Sequence, residues 1–146
     1  MYKAIDAILI ADATVTGLVP AARIKPLAAS MLNSASALPN IVYSIDDAVH
    51  NIENSINLTT GKAVCVQSSF AVDCNADSYN SAQTVGEAVR KALHGKQGTY
   101  GGYYVASIQC TNTPDDFVPA AQTGTGKPSG IYRMIVNFDG IYSELT

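Results

Sequence analysis

Two periodicities follow each other without a break between residues 64 and 95, and few folds accommodate both. Val64, Val66, Ser68, Phe70, Val72 and Cys74 alternate with Cys65, Gln67, Ser69, Ala71 and Asp73. Period-two alternation predicts a strand with one face on a core and the other more open. From about 78 to 94 the period becomes helical. Ala82, Val85, Val89 and Ala92 form one stripe, flanked by Ala88 and Leu93. Asp77 or Ser78 can cap the start, Arg90 and Lys91 suit the negative end of the helix dipole, and Gly95 suits the left-handed residue after the last turn. Gly86 inside this helix costs about 1 kcal/mol against Ala, which points to a close approach to the sheet. A strand running straight into an amphipathic helix demands a layered arrangement of helix on sheet.

The remaining elements are placed around this pair. Ile5, Ile8 and Leu9 predict a helix over 3–11, and Asp12 can cap a short turn that runs through Val15 to Leu18. Residues 20–39 read as irregular, with Pro20, Pro26 and Pro39, apart from a short extended piece at Arg23–Lys25. Ile41, Tyr43 and Ile45 predict a strand over 40–47 that ends at Asp46-Asp47, and 48–61 reads as a long hairpin connection. After glycines 98, 101 and 102, a third strand places Tyr104, Ala106, Ile108 and Cys110 on one face and Tyr103, Val105 and Ser107 on the other. A fourth covers about 131–143, with Tyr132, Met134, Val136 and Phe138 on one side. Between them, 111–130 reads as a loop, and a loop of that length in a compact domain implies a use. No internal repeat or boundary interrupts the chain, so 1–146 is expected to be a single domain. The order helix, strand, strand, helix, strand, strand predicts an α+β fold: a four-stranded antiparallel or mixed sheet with two main helices packed on one face.

The strand-to-helix junction is where an α/β enzyme would put a nucleophile, and Asp73 and Cys74 sit there. A nucleophile elbow requires G-x-S-x-G, whereas these residues read Val-Asp-Cys-Asn-Ala. Cys74 continues the apolar side of its strand, so an inert buried thiol is expected, with Asp73 as a cap or surface charge. GTGKPSG, 124–130, resembles a phosphate loop but has Ala121 in the first glycine position, Pro128 after Lys127, and a strand rather than a helix behind it. Asp46-Asp47 and Asp115-Asp116 are adjacent pairs, and adjacent strand residues point to opposite faces. Cys65, Cys74, Cys110, His50 and His94 match no zinc spacing. The expectation is therefore no catalytic residue, no cofactor and no metal.

Composition agrees with a role in contact rather than catalysis. Only 14% of residues are charged, against about 25% in an average protein, so a surface largely covered by partners is expected. A net charge of −3 leaves no electrostatic footprint for nucleic acid. No segment approaches the roughly 20 apolar residues that span a bilayer. The first residues lack a secretory leader, so three free thiols in a reducing compartment are expected. Tyr100, Tyr103, Tyr104, Tyr132 and Tyr142 gather around the last two strands, where tyrosine serves packing and interfaces alike.

Several pieces, in order, resemble the tail completion family of long-tailed bacteriophages, the tail terminator or tail-to-head joining proteins. They are Ile8 with Asp12, Val15 and Leu18; Arg23-Ile24-x-Pro26; Leu38-Pro39-x-Ile41-Val42-Tyr43; and Val72-Asp73-Cys74-x-Ala76. Ala82, Val85, Val89-Arg90-x-Ala92-Leu93-x-Gly95 and Gly98 follow, then Asp115 or Asp116 and Tyr132-Arg133. Asn75 stands where the family pattern has an aromatic, and 48–61 and 111–130 are this chain's own. The resemblance implies a virion protein of the tail-neck region, assembled in the host cytoplasm. It implies a homo-oligomer, a six-fold ring (hexamer) that caps the tail tube protein and meets a head-closure or connector protein. Interface residues are then expected in 111–130, 48–61 and 20–38: Asp115, Asp116, Phe117, Lys127, His50, Asn51, Arg23 and Lys25. The alternatives are another neck component, such as a head-closure protein, and a small cytoplasmic cysteine enzyme.

Overall fold

A computed structural model describes residues 1–27, 38–50, 65–119 and 130–144. The chain begins with helices α1 (Tyr2–Ala11) and α2 (Ala13–Leu18), a 3₁₀ turn (Ala21–Arg23) and strand β1 (Ile24–Pro26). Strands β2 (Asn40–His50) and β3 (Val66–Ala76) precede α3 (Tyr79–Leu93). Then come β4 (Gly98–Tyr100), β5 (Tyr103–Asn112), β6 (Asp115–Pro119) and β7 (Gly130–Glu144).

The alternating run forms β3 as its pattern requires. Its inward residues from Val66 to Ala76 are all buried, and the residues between them are exposed or half-buried. Val64 lies outside the described residues. The helical stripe forms α3: Ala82, Val85, Ala88, Val89, Ala92 and Leu93 are buried, with Gly86 among them. The Ser78 hydroxyl accepts the Ser81 N–H at 3.3 Å, and Gly95 takes φ +75° just beyond the helix. A Cβ on Gly86 would stand 2.8 Å from Met134 Cγ and closer still to its sulfur, so the glycine is what lets α3 lie against β7. Asp12 closes α1 and opens α2, its carboxylate accepting the N–H groups of Thr14 and Val15 at 2.9 and 3.0 Å.

The expectation of a four-stranded sheet is overturned. The strands form one seven-stranded mixed sheet, curled into a half-barrel, in the order β1-β2-β3-β7-β5-β4, with β6 also paired to β7. The chain is mostly β, rather than a four-stranded sheet carrying two helices. The extra strands have physical causes that lie far away in sequence. Strand β7 is 15 residues long, and β5 pairs only with its stretch from Asn137 to Glu144. The unpaired stretch Gly130–Met134 needs a partner, and Asp115–Pro119 supplies it although prolines and aspartates disfavour strands. Strands β1 and β4 have three residues each and exist by pairing with β2 and β5.

Two bulges correct the assigned faces. In β5 the register shifts between Val105 and Ser107, so Val105 and Ile108, three apart, are both fully buried. Tyr104 and Ala106, expected beside Ile108, are exposed instead. In β2 a shift between Ile45 and Asp47 carries the strand past the Asp46-Asp47 pair expected to end it, as far as His50.

Helix α1 reaches between the two sides of the curl. The Tyr2 hydroxyl accepts the Ile45 N–H at 3.3 Å, and the Tyr43 hydroxyl donates to Asp6 Oδ1 at 3.0 Å. At its other contact, Lys3 lies against Gly101 in the turn between β4 and β5.

Candidate interaction surface

The sheet turns its helix-free face outward, and on that face, beside Val42, Ile135 and Ile141, short polar side chains satisfy one another across strands. Ser69 Oγ donates to Asp139 at 2.7 Å, Asn75 Nδ2 to Asn40 at 2.9 Å, and Asn137 Nδ2 to Asn112 at 2.7 Å. Its charged centre is Arg133. One guanidinium nitrogen meets Asp116 at 2.6 Å and the other meets Asp73 at 3.6 Å. The Nε of Arg133 is buried without a partner.

The two carboxylates on Arg133 respond to it differently. Asp116 is held below the ordinary carboxylate range, chiefly by the hydrogen bond from Arg133 and then by the Phe117 N–H. Asp73 is raised, because burial outweighs the attraction of Arg133, and Asp46 repels it further. A depressed folded pKa contributes stability above the unfolded value and loses it as pH falls through the folded one. Asp116→Asn is therefore expected to flatten the loss of stability between about pH 5 and pH 2, most visibly at low salt. Urea unfolding followed by tyrosine fluorescence at the two ends of that range checks it; parallel curves for variant and wild type would refute it.

On the other side of the same strands lies an aromatic group at the start of α3. Phe117 packs on Tyr132 with ring centroids 4.8 Å apart, and the nearby Asp115 carboxylate holds the Tyr79 hydroxyl above its ordinary pKa. Phe117 is 41% exposed and Tyr79 51%.

The expected interface residues fall into two groups. Asp115, Asp116 and Phe117 stand together on β6, at one border of the sheet. Arg23 and Lys25 stand at the opposite border, in the 3₁₀ turn and on β1, with Arg23 Nη1 donating to the Leu38 carbonyl at 3.2 Å. His50 ends β2, its side chain not being among those described, and Asn51 and Lys127 lie outside the described residues. Residue-level reasoning did not single out Arg133 as the centre of this group. A lone cation at an outward position of a long, nearly uncharged strand was the available signal.

The three thiols differ in exposure: Cys74 is buried, Cys65 and Cys110 half-buried. Cys74 is fully buried and its thiol lies well above the ordinary range, through burial first and the neighbouring Asp73 charge second. Burial also raises Cys110. His94 is engaged at the end of α3, its Nδ1 accepting the Cys110 N–H at 3.0 Å. Among the described residues no group of three or more His, Cys, Asp and Glu side chains could hold a metal ion, and no helix is long and apolar enough to cross a membrane. A thiol held neutral is a poor nucleophile. In the native protein, Cys74 is expected to resist a disulfide reagent while Cys65 and Cys110 react, with all three reacting in denaturant. Fast labelling of Cys74 in the native state would restore the cysteine-enzyme alternative.

A curled mixed sheet lined by α1 and α3 is a distinctive arrangement, and it has a counterpart among solved structures. The same fold occurs in a virion. A chain of the structure titled "Virion of native gene transfer agent (GTA) particle" superposes with a TM-score of 0.69 at 14% identity, over 96% of this chain and 92% of that one. No protein-family model matches the sequence, and no curated protein matches it. At that identity the likeness establishes the fold. It spans both chains almost end to end.

Proposed function

We propose that this chain is a structural protein of a phage-like virion that acts by shape rather than by catalysis. The observation that carries this is the near end-to-end fold likeness to a chain of a gene transfer agent virion. Support also comes from Cys74, the residue best placed for chemistry, whose thiol is buried and held neutral. Within the virion we assign it the role of tail terminator: a ring of identical copies, six in number, that caps the tail tube and meets the head connector. The ordered residues shared with the tail completion family support that finer role, from Ile8 through Val72-Asp73-Cys74 to Tyr132-Arg133.

A closed ring needs one surface of a subunit to fit a different surface of the next. The sheet supplies two unlike borders, one acidic and aromatic at β6, one basic at β1. The test is direct. Purified chain added to assembled tail tubes should give ends capped by a ring in negative-stain micrographs, and an affinity label on the chain should mark the junction of tail and head. A label on the head side alone would assign it to head closure instead. A chain absent from purified particles, and without effect on tube ends, would end the structural reading.

A further inference from the structure

The two borders are placed to meet. Strand β1 is the outermost strand at one side of the sheet and β6 lies outermost on the other, beside the first residues of β7. Among the described residues no strand pairs with the outer side of either. Both reach the same end of the sheet: Ile24 pairs with Ile41 and Ile41 with Cys74, while Phe117 pairs with Tyr132 and Tyr132 with Ala76. Just beyond β1, at the middle of β2, the border is met by α1, where Tyr2 takes the Ile45 N–H.

Register fixes which side chains stand at these borders. One row runs across the strands through Lys25, Val42, Asp73 and Ile135. The next runs through Asn40, Asn75, Arg133 and Asp116. Paired residues point to the same face, and Arg133, Asp73 and Asp116 are in contact, so both rows lie on the open face. Rows on one face are two residues apart, about 7 Å. Lys25 and Asp116 thus stand at opposite borders, on one face, one row out of step.

Charge points the same way. Two carboxylates share the single Arg133 guanidinium, which leaves this three-residue group beside β6 with one surplus negative charge. Among the described residues no carboxylate lies within ion-pair distance of Lys25. Strand β1 runs parallel to β2, and β6 runs antiparallel to β7, so β1 of one copy set beside β6 of the next would face it antiparallel. The backbone adds little, because Pro26 and Pro119 lack N–H groups and the Phe117 N–H is held by its neighbour Asp116. Blunted edges of this kind discourage indiscriminate strand pairing and leave selection to side chains.

We propose that the β1 border of one copy docks on the β6 border of the next, with Lys25 reaching the Asp116–Arg133–Asp73 group. The contact is heterologous, so repetition with a fixed rotation closes a ring. This rests on the ring reading above and names the surfaces that build it.

Sedimentation and light scattering of the full chain, as a function of concentration, test the contact. Lys25→Glu should weaken self-association about tenfold or more and Lys25→Arg should preserve it, while added salt should weaken the wild type. Lys25→Glu combined with Asp116→Lys should recover association. Because Asp116→Lys sets a cation beside Arg133 and can unseat β6, a second pair avoids it. Lys25→Cys chains mixed with Asp116→Cys chains should form a mixed disulfide dimer on oxidation that neither forms alone and that wild type, with its own cysteines, does not form. Association unchanged by Lys25→Glu, no mixed dimer, or a wild type monomeric at every concentration would each overturn the contact. The virion reading is judged separately, by where the chain sits on particles.

Discussion

Replacing Phe70 with Ala should cost about 3–5 kcal/mol, a large share of the 5–15 kcal/mol that stabilises a typical domain. Phe70 is fully buried at the middle of β3, where it faces Ile45 on β2 and Phe138 on β7. Its ring stacks on that of Phe138 with centroids 5.1 Å apart and planes 17° from parallel. Gly140 leaves room beside it: a Cβ there would stand 3.0 Å from the Met1 methyl and 3.4 Å from the Phe70 ring. Met1, Phe70 on β3 and Ile108 on β5 therefore meet around Gly140 on β7. A curled sheet cannot easily collapse around a hole at the centre of its curl, so the cavity term should persist. Phe70→Leu keeps most of the volume and should lose less than half as much. Urea denaturation followed by circular dichroism measures both, with the m-value unchanged if only the folded state is weakened. A loss below about 1.5 kcal/mol for Phe70→Ala would mean that the core is centred elsewhere.

Phe70 also illustrates what could be read from residues alone. Its place on the inward side of β3 follows from alternation over eleven positions, and the buried side of α3 follows from the stripe at helical spacing. Both are long, regular patterns, in which local preference and tertiary burial agree. The misreadings arose where the cause of structure is remote. Residues 115–119, with two aspartates and a closing proline, carry no strand signal, and they are a strand because β7 outruns β5. The bulge after Val105 leaves no local mark, yet it exchanges the inner and outer faces of β5 and sends Tyr104 to the surface. The predicted interface residues Arg23, Lys25, Asp115, Asp116 and Phe117 were legible as polar or aromatic residues in segments without strong periodicity. That they divide between two borders of one sheet was not, because strand order is a property of the whole chain. Arg133 became visible as the link between Asp73 and Asp116 only once β3, β7 and β6 were side by side.

Among the described residues, Gly101→Ala should be the most damaging substitution of a single hydrogen by a methyl group, costing on the order of 2–4 kcal/mol. Two causes act together. Gly101 has φ +56° in the turn between β4 and β5, a left-handed conformation that disfavours a Cβ by roughly 1–2 kcal/mol. A Cβ there would also stand 2.5 Å from the Lys3 carbonyl carbon and nearer still to its oxygen. Those atoms are helix backbone, which cannot swing aside as the end of a side chain can. Relief would require the start of α1 to lift from the turn. That movement would withdraw Tyr2 from the Ile45 N–H and uncover the outer edge of β2 at its middle. Gly102→Ala separates the causes, since φ is +88° there but no atom lies within 4 Å of the added carbon. It should lose only the conformational part. Amide hydrogen exchange should show faster exchange at Ile45 in Gly101→Ala and little change there in Gly102→Ala. Equal effects of the two variants would show that the turn alone, and not the seating of α1, is what Gly101 protects.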